Sequence, residues 1–167
     1  MSSHPSDLLP LEEPAGGLIL TPCPGTKSVD TDTAIGQLKA AGASALITLM
    51  QDAEMASNAA SDLPALCAKQ GLQWFHLPIE DDHAPAADFA VAWQAQRKAV
   101  HQLLDAGKRI AVHCKGGSGR TGLMVAQILV ERGYAKEDAV AVVKALRPKA
   151  LSLAVHQDYL ARLPVAV

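Results

Sequence analysis

Aromatic residues, cysteines and long apolar runs are all scarce in this sequence of 167 residues. Its three cysteines, Cys23, Cys67 and Cys114, are widely spaced and form no CxxC pair, which excludes a disulfide framework and a typical zinc site. No segment reaches the roughly 18 consecutive apolar residues of a membrane span, so we expect no membrane insertion. The net charge of −2 gives no reason to expect nucleic acid as a partner.

The chain has the length and composition of one domain. Its residues are 49% hydrophobic and 19% charged, which is enough to bury one sizeable core. Residues 1–17 contain Pro, Ser and Glu and lack the basic and apolar regions of a secretory signal, so they predict a loose tail or a first edge segment. We therefore predict a single domain over residues 18–167 in a cytoplasmic protein, a location that suits a reactive thiol.

Short apolar runs alternate with helical patterns along the chain. The runs are rich in β-branched residues and predict strands near residues 18–20, 45–49, 72–77 and 110–112. Caps, glycines and apolar spacing predict helices over about 31–41, 64–71, 88–107, 119–132, 136–146 and 152–163. This alternation predicts an α/β fold with a mainly parallel central sheet flanked by helices.

One stretch, residues 109–132, contains the clearest chemistry. A strand ends at Cys114, the glycines Gly116, Gly117 and Gly119 follow, and an apolar helix begins. Glycines let such a turn adopt positive φ and bring bare backbone close to a ligand. The helix N-terminus points free N–H groups and its positive dipole end into the same loop. The stretch therefore predicts an anion cradle with a thiol at its base.

Cys114 is the predicted nucleophile. A cysteine thiol at a helix N-terminus or beside cations ionises readily, so we expect a thiolate at neutral pH. Arg120, six residues later, can present a fixed fork of donors to a tetrahedral oxyanion, and Thr121 places a hydroxyl beside the sulfur. These groups suit phosphoryl transfer to sulfur. We expect no metal or other cofactor, because Arg120 and the backbone amides stabilise the developing charge.

Other interpretations of the loop fit the residues less well. A nucleotide-binding GxxxxGK[ST] motif cannot be placed, because no lysine follows in register. A GxSxG nucleophile elbow fails because Arg120 occupies the position of its last glycine. A buried structural cysteine is the common alternative for any cysteine. Packing alone poorly explains a cysteine that lies between His113 and Lys115 and precedes three glycines.

The segment 113–122, HCKGGSGRTG, resembles the signature of the protein tyrosine phosphatase superfamily in its dual-specificity branch. Residues 22–27, PCPGTK, and 78–81, PIED, extend the similarity to the kinase-associated phosphatase (cyclin-dependent kinase inhibitor 3-like) group. The resemblance implies a cysteine-phosphatase fold and implies that His113 orients the cradle through hydrogen bonds. It also implies that the loop residues bind the substrate phosphate: Lys115, Gly116, Gly117, Ser118, Gly119 and Arg120.

The proposed chemistry also needs a carboxylic acid that protonates the leaving oxygen. The acidic loop at residues 78–85 follows a predicted strand, at the end where open α/β sheets bind ligands. Asp81 occupies the aspartate position of the family-like Pro-Ile-x-Asp pattern, so we predict that it is the general acid and later the base for thiophosphate hydrolysis. Asp82 is the second candidate, and a solvated turn is the alternative. Thr121 is expected to help the thiolate leave.

The predicted function is hydrolysis of phosphotyrosine and phosphoserine or phosphothreonine in proteins or peptides, through a phosphocysteine intermediate, by a monomer. With only two Trp, two Tyr and two Phe, the chain has little aromatic material for a deep phosphotyrosine slot. A shallow pocket would admit the shorter phosphoserine and phosphothreonine as well.

Two other functions stay open. A phosphoinositide phosphatase is possible because HCKGGSGRTG also resembles that signature, although Ser118 replaces an expected second lysine. A catalytically idle phosphopeptide-binding module would usually have lost Cys114, Arg120 or the acid, and this sequence retains all three. The resemblance also places Lys27 near the active-site face, where it either faces the phosphate or is simply solvated.

Overall fold

The computed structural model describes residues 3–12 and 15–164. The strands in chain order are β1 (Asp7–Leu11), β2 (Gly16–Thr21), β3 (Ala43–Thr48), β4 (Gln73–His76) and β5 (Arg109–His113). The helices are α1 (Thr31–Ala40), α2 (Asp52–Ser57), α3 (Leu63–Gln70), α4 (Ala87–Asp105), α5 (Gly119–Glu131), α6 (Lys136–Leu146) and α7 (Ala154–Arg162). The sequence pattern predicts all of these helices except α2.

The strands form one sheet in the order β1-β2-β5-β3-β4. β2, β5, β3 and β4 run parallel, and β1 pairs antiparallel with β2 at one edge. The middle strand β5 is buried from Ile110 to His113, as its continuous apolar run requires in a sheet covered on both faces. This architecture confirms the predicted α/β fold with a mainly parallel sheet flanked by helices.

Successive strand residues point to opposite faces, so the sheet separates two apolar cores. Ile110 and Val112 pack in a core that includes residues of α4, α5, α6 and α7, whereas Ala111 packs with residues of α1 and α3. Trp93 also lies in the first core. Residues 120–130 of α5 are all buried, so this helix is a fixed element against which the active-site loop can be held.

The N-terminal segment differs from the predicted loose tail. Residues 7–11 pair with β2 and bury Leu9 and Leu11 in the core, so the edge-segment alternative describes them correctly. Nε2 of the buried His4 also lies 2.6 Å from Thr21 Oγ1. The composition of this segment does not indicate a strand, because its leucines are few and lie among proline and acidic residues. Residues 1, 2, 13 and 14 of the predicted tail and 165–167 of the predicted domain lie outside the described residues.

The parallel strands end together at one edge of the sheet. In the strand register, the end residue His113 of β5 lies opposite Thr21 of β2 and Thr48 of β3. The segments that follow these strands therefore meet above the same edge, where open α/β sheets bind ligands.

Candidate active site

Cys114 lies at the base of the predicted cradle, between the end of β5 and the start of α5. Its Sγ accepts hydrogen bonds from Thr121 Oγ1 at 3.1 Å and from the Gly117 backbone N–H at 3.3 Å. Two donors and the positive end of α5 stabilise negative charge on this sulfur. Burial raises the pKa of Cys23 to about 12 and that of Cys67 to about 11.

Gly117 is the glycine that the loop geometry requires. Its φ is +80°, and a Cβ there would lie 2.6 Å from the carbonyl carbon of Thr21, a contact that no larger residue can make. Gly116 and Gly119 do not adopt positive φ, so Gly117 alone of the three gives the turn this conformation. At Gly116 a Cβ would meet nothing within 4 Å, which leaves its backbone open to a ligand.

Arg120 projects from the first turn of α5 and is 3% exposed. Its Nη1 donates to Glu54 Oε1 at 2.6 Å and to the Ile79 carbonyl at 3.0 Å, while Nη2 donates to Glu54 Oε2 at 2.7 Å. Nη2 also lies 3.4 Å from Asp81 Oδ1. The bidentate pair fixes the plane of the guanidinium. Its Nε is buried and has no hydrogen-bond partner among the described residues.

Glu54 is the main site residue that the sequence interpretation missed. It lies on α2, the helix that was not predicted, immediately beyond the carboxyl end of β3. The acidic pair Asp52 and Glu54 directly follows an apolar strand. The loops after parallel strands form the ligand-binding edge of such sheets. The position of Glu54 just after β3 was therefore the sequence feature that could have indicated a residue of the site.

A cavity of about 520 Å³ opens above the sulfur. Its lining residues are Thr26, Lys27, Asn58, Asp81, Asp82, Cys114, Lys115, Gly116, Ser118, Gly119 and Arg120. The structure thus brings five of the six predicted phosphate-binding residues to one cavity. The exception is Gly117, whose N–H points at the sulfur. His113 and Thr121 lie behind the loop and do not line the cavity.

His113 is completely buried beneath the loop, and burial lowers its pKa to about 4. Because a carbonyl only accepts, its Nδ1–H must donate to the Cys114 carbonyl at 3.0 Å. Nε2 then accepts from Thr48 Oγ1 at 2.7 Å, and the Trp74 indole donates to the same hydroxyl at 2.8 Å. This chain fixes the tautomer of the neutral ring and its orientation under Cys114.

Arg147 supports the loop from its other side, and the sequence interpretation did not single it out. Its Nε donates to the Gly117 carbonyl at 2.9 Å, and Nη2 donates to the Leu20 carbonyl at 3.0 Å. Nη1 pairs with Asp7 Oδ2 at 2.6 Å. One guanidinium therefore joins the cradle to β2 and to β1, which no local sequence pattern indicates.

The acid loop, defined as residues 78–85, runs along the cavity rim. The Ile79 N–H donates to the Leu49 carbonyl at 2.8 Å, which fixes the start of the loop. Asp81 and Asp82 both reach the cavity. Their backbone conformations differ, because the φ of Asp82 is +62° whereas the φ of Asp81 is not positive. Lys27 also lines the cavity, opposite in charge to these acids.

Within residues 3–12 and 15–164, no helix is long and apolar enough to cross a membrane. The same part of the chain contains no group of three or more His, Cys, Asp or Glu side chains arranged to hold a metal ion. The cradle itself offers N–H, guanidinium and hydroxyl donors, which suit an anion.

Comparisons with known proteins agree with this geometry. Residues 24–134 match the model of the Tc-R-P family, described as "Polymorphic toxin system, DSP-PTPase phosphatase". Protein tyrosine phosphatase type IVA 3 of Mus musculus is 32% identical over 84 residues, covering 50% of this chain and 48% of that protein. The chain thus spans about half of that relative's length.

A second curated relative carries two activities in its name. It is the phosphatidylinositol 3,4,5-trisphosphate 3-phosphatase and protein-tyrosine-phosphatase PTEN1 of Arabidopsis thaliana, 42% identical over 65 residues, which cover 38% of this chain and 15% of that protein.

Among solved structures, kinase associated phosphatase with its catalytic cysteine replaced by serine superposes with a TM-score of 0.82. It is 20% identical, and the match covers 95% of this chain and 93% of that one. This likeness shows a shared fold. The family match includes both the acid loop and the Cys114 cradle and extends over more than half of the sequence. The chain therefore belongs to the DSP-PTPase phosphatase family of polymorphic toxin systems, within the protein tyrosine phosphatase superfamily.

Proposed function

We propose that the protein hydrolyses phosphate monoesters on phosphotyrosine and on phosphoserine or phosphothreonine through a phosphocysteine intermediate. One observation carries the proposal: the Cys114 sulfur, with two hydrogen-bond donors at 3.1 and 3.3 Å, lies at the base of a cavity that Arg120 also lines. This arrangement supports attack by the Cys114 sulfur on a phosphate bound in the cavity.

In the first step, the thiolate attacks phosphorus. The sulfur–phosphorus bond forms as the ester phosphorus–oxygen bond breaks, and Asp81 gives its proton to the leaving oxygen. Arg120 and the loop amides stabilise the charge on the equatorial oxygens. Glu54 keeps the guanidinium plane fixed, so this stabilisation requires little reorganisation at the moment of reaction.

In the second step, water attacks the phosphocysteine. Asp81 takes a proton from the water, the sulfur–phosphorus bond breaks, and the Cys114 thiolate and inorganic phosphate are formed. The hydroxyl of Thr121, 3.1 Å from the sulfur, stabilises the departing thiolate. His113 stays neutral and orients the Cys114 carbonyl by its hydrogen bond. No step requires a metal ion.

The dual specificity in this proposal is supported by the walls of the cavity. The residues that line it carry no aromatic side chain, so an aromatic ring would gain little apolar contact there. Short phosphorylated side chains are then not at a disadvantage. We propose that the protein is a monomer of the kinase-associated phosphatase type and that it acts in the cytoplasm. The free thiols of Cys23, Cys67 and Cys114 support this location.

Phosphoinositide hydrolysis is the second candidate, because Lys27 and Lys115 both line the cavity and could bind additional phosphates. The nearby carboxylates of Asp81 and Asp82 oppose a highly charged headgroup. Side-by-side assays of phosphopeptides and soluble phosphoinositides separate the two. We expect a higher kcat/KM for at least one phosphopeptide, whereas a higher value for a phosphoinositide than for every peptide would favour the second candidate.

The proposal is tested with an aryl phosphate in the presence of a metal chelator. We expect turnover without added metal, inhibition by vanadate, and loss of turnover in Cys114→Ser with retained phosphate-analogue binding. Arg120→Lys is expected to lower kcat/KM by at least about 100-fold, because a point charge does not replace the guanidinium fork. Turnover retained in Cys114→Ser, or strict dependence on a divalent ion, would contradict the proposal. Binding without any turnover in the unaltered protein would favour the idle module.

A further inference from the structure

Beyond Ile79, the acid loop has polar contacts with only two side chains from elsewhere in residues 3–12 and 15–164. Arg120 Nη2 lies 3.4 Å from Asp81 Oδ1, and His156 Nε2 lies 2.9 Å from the His83 carbonyl oxygen. In the proposed function, Arg120 must also serve the bound phosphate. The contact from His156 involves no phosphate-binding residue, so it can hold the loop throughout the reaction.

His156 is 1% exposed, and one of its two ring nitrogens has a hydrogen-bond partner. Because the His83 carbonyl only accepts, Nε2 carries the proton of this bond. Nδ1 is buried and has no partner within the part of the chain that the structure describes. A buried ring nitrogen without a hydrogen bond lowers the free energy of unfolding, a cost that a leucine of similar size would not have. The specific feature that the imidazole contributes at this position is therefore its hydrogen bond to the acid loop.

Hydrogen bonds inside the loop continue this contact to the acid. The His83 Nδ1–H donates to the Asp81 carbonyl at 2.8 Å, and the His83 N–H donates to the Glu80 carbonyl at 3.1 Å. Between them, Asp82 adopts the left-handed conformation with φ of +62°. A fixed position of His83 therefore fixes the backbone on both sides of the Asp81 side chain.

His156 also lies beside the first residue of α5. A Cβ added to Gly119 would be 4.0 Å from His156 Cε1, so the ring occupies the space between the acid loop and the helix that ends the cradle. We propose that His156 is a positioning residue, which holds Asp81 over the cradle through His83. This inference rests on the proposed function, because it assumes that Asp81 is the general acid.

The test compares leaving groups. With phenyl phosphate, whose leaving oxygen needs a proton, His156→Leu is expected to lower kcat/KM by about 10- to 100-fold, because small displacements of a catalytic group are costly. With p-nitrophenyl phosphate, which leaves without acid help, the loss in kcat/KM should stay below about 3-fold. This ratio reports only the steps up to departure of the leaving group, so the later role of Asp81 as base does not affect it. His156→Gln, whose side-chain amide can donate to the same carbonyl, should restore most of the kcat/KM for phenyl phosphate.

Gln157→Leu is the matched control, because Gln157 donates to the Leu151 carbonyl from the same helix and does not touch the acid loop. It should leave both rates unchanged, and urea unfolding of each variant confirms that it is folded. Equal losses for the two substrates in His156→Leu, or weaker vanadate binding, would assign His156 to the cradle and overturn the inference. Unchanged rates in a folded His156→Leu would also overturn it. Cys114→Ser must still abolish turnover, which tests the proposed function separately.

Discussion

Two neighbouring aspartates reach the same cavity with different backbones and different partners. Asp81 lies 3.4 Å from the Arg120 guanidinium, and its carbonyl accepts from His83. Asp82 has a left-handed backbone and donates its N–H to the Asp81 carboxylate at 3.1 Å. The contacts to the cradle thus favour Asp81 as the acid.

We predict that Asp81→Asn lowers kcat by roughly 10²- to 10⁴-fold for poor leaving groups and by less for good ones, because only a basic leaving oxygen needs the proton. Asp82→Asn is the matched control, since asparagine tolerates the left-handed backbone of this position. Steady-state rates with phenyl phosphate and p-nitrophenyl phosphate check the prediction. The reverse ranking would make Asp82 the acid, and no effect in either variant would place the acid elsewhere.

Local patterns in the sequence identified the residues whose chemistry depends on their immediate neighbours. Cys114, Arg120 and Thr121 lie in one loop and the start of one helix, so their spacing alone predicts their meeting. Glu54, which binds Arg120, lies 66 positions before it in the sequence, and Arg147, which binds the Gly117 carbonyl, lies 30 positions after that glycine. Such partners depend on the strand order, which the sequence pattern did not supply.

Helix α5 connects the cradle to the core. Its residues 120–130 are buried, and it packs so closely on the following segment that a Cβ at Gly122 would lie 2.5 Å from Ala150 Cβ and 3.2 Å from Val143 Cγ1. Gly36 in α1 is different, because a Cβ there would approach only the flexible end of Gln70, at 3.3 Å. Close packing thus requires glycine at position 122, whereas the space around position 36 can accept a larger side chain.

We predict that Gly122→Ala lowers the free energy of unfolding by about 1–3 kcal/mol, because the overlap with Ala150 exceeds the gain in helix propensity. Gly36→Ala should raise it by up to about 1 kcal/mol, since the Gln70 side chain can move aside. Urea denaturation of both variants checks the pair. A stabilised Gly122→Ala protein would show that α5 has room to move relative to the residues around Ala150, contrary to the packing described.

The predicted elements agree with the structure wherever apolar spacing and caps determine them. The α6 bounds match because Glu137 and Asp138 favour its start and Pro148 stops it. The β1 strand was predicted less well because an edge strand buries few residues, here Leu9 and Leu11. Helix α2 is short, with Met55 as its one buried residue, so its apolar pattern was too weak to predict.

Buried histidines make the free energy of unfolding of the protein depend on pH. Burial lowers the pKa of His113 from 6.5 to about 4, and burial also lowers the pKa of His4. Between pH 6.5 and 4, the unfolded chain therefore binds protons that the folded chain does not. The free energy of unfolding must fall as the pH drops through this window.

We predict that urea unfolding at pH 5 gives a free energy lower by about 2 kcal/mol than at pH 7.5. His113→Gln should remove most of this difference, because its side chain does not titrate. The carboxylate of Glu131 does not contribute in this range. Burial raises its pKa, but hydrogen bonds from His101, Arg97 and Trp93 bring it down to about 2, so its stabilisation persists above about pH 4.5. A pH dependence equal in both proteins would refute the buried neutral His113.

Trapping the phosphoryl group on Cys114 tests the proposed phosphocysteine mechanism. The protein is mixed with excess p-nitrophenyl phosphate, quenched in acid within milliseconds to seconds, digested and analysed by mass spectrometry. We predict a phosphoryl adduct on Cys114, absent in Cys114→Ser and more abundant in Asp81→Asn, because loss of the base slows hydrolysis of the intermediate once a good leaving group has formed it. Full turnover with no adduct on Cys114 at any quench time, or an adduct on another residue, would contradict the account.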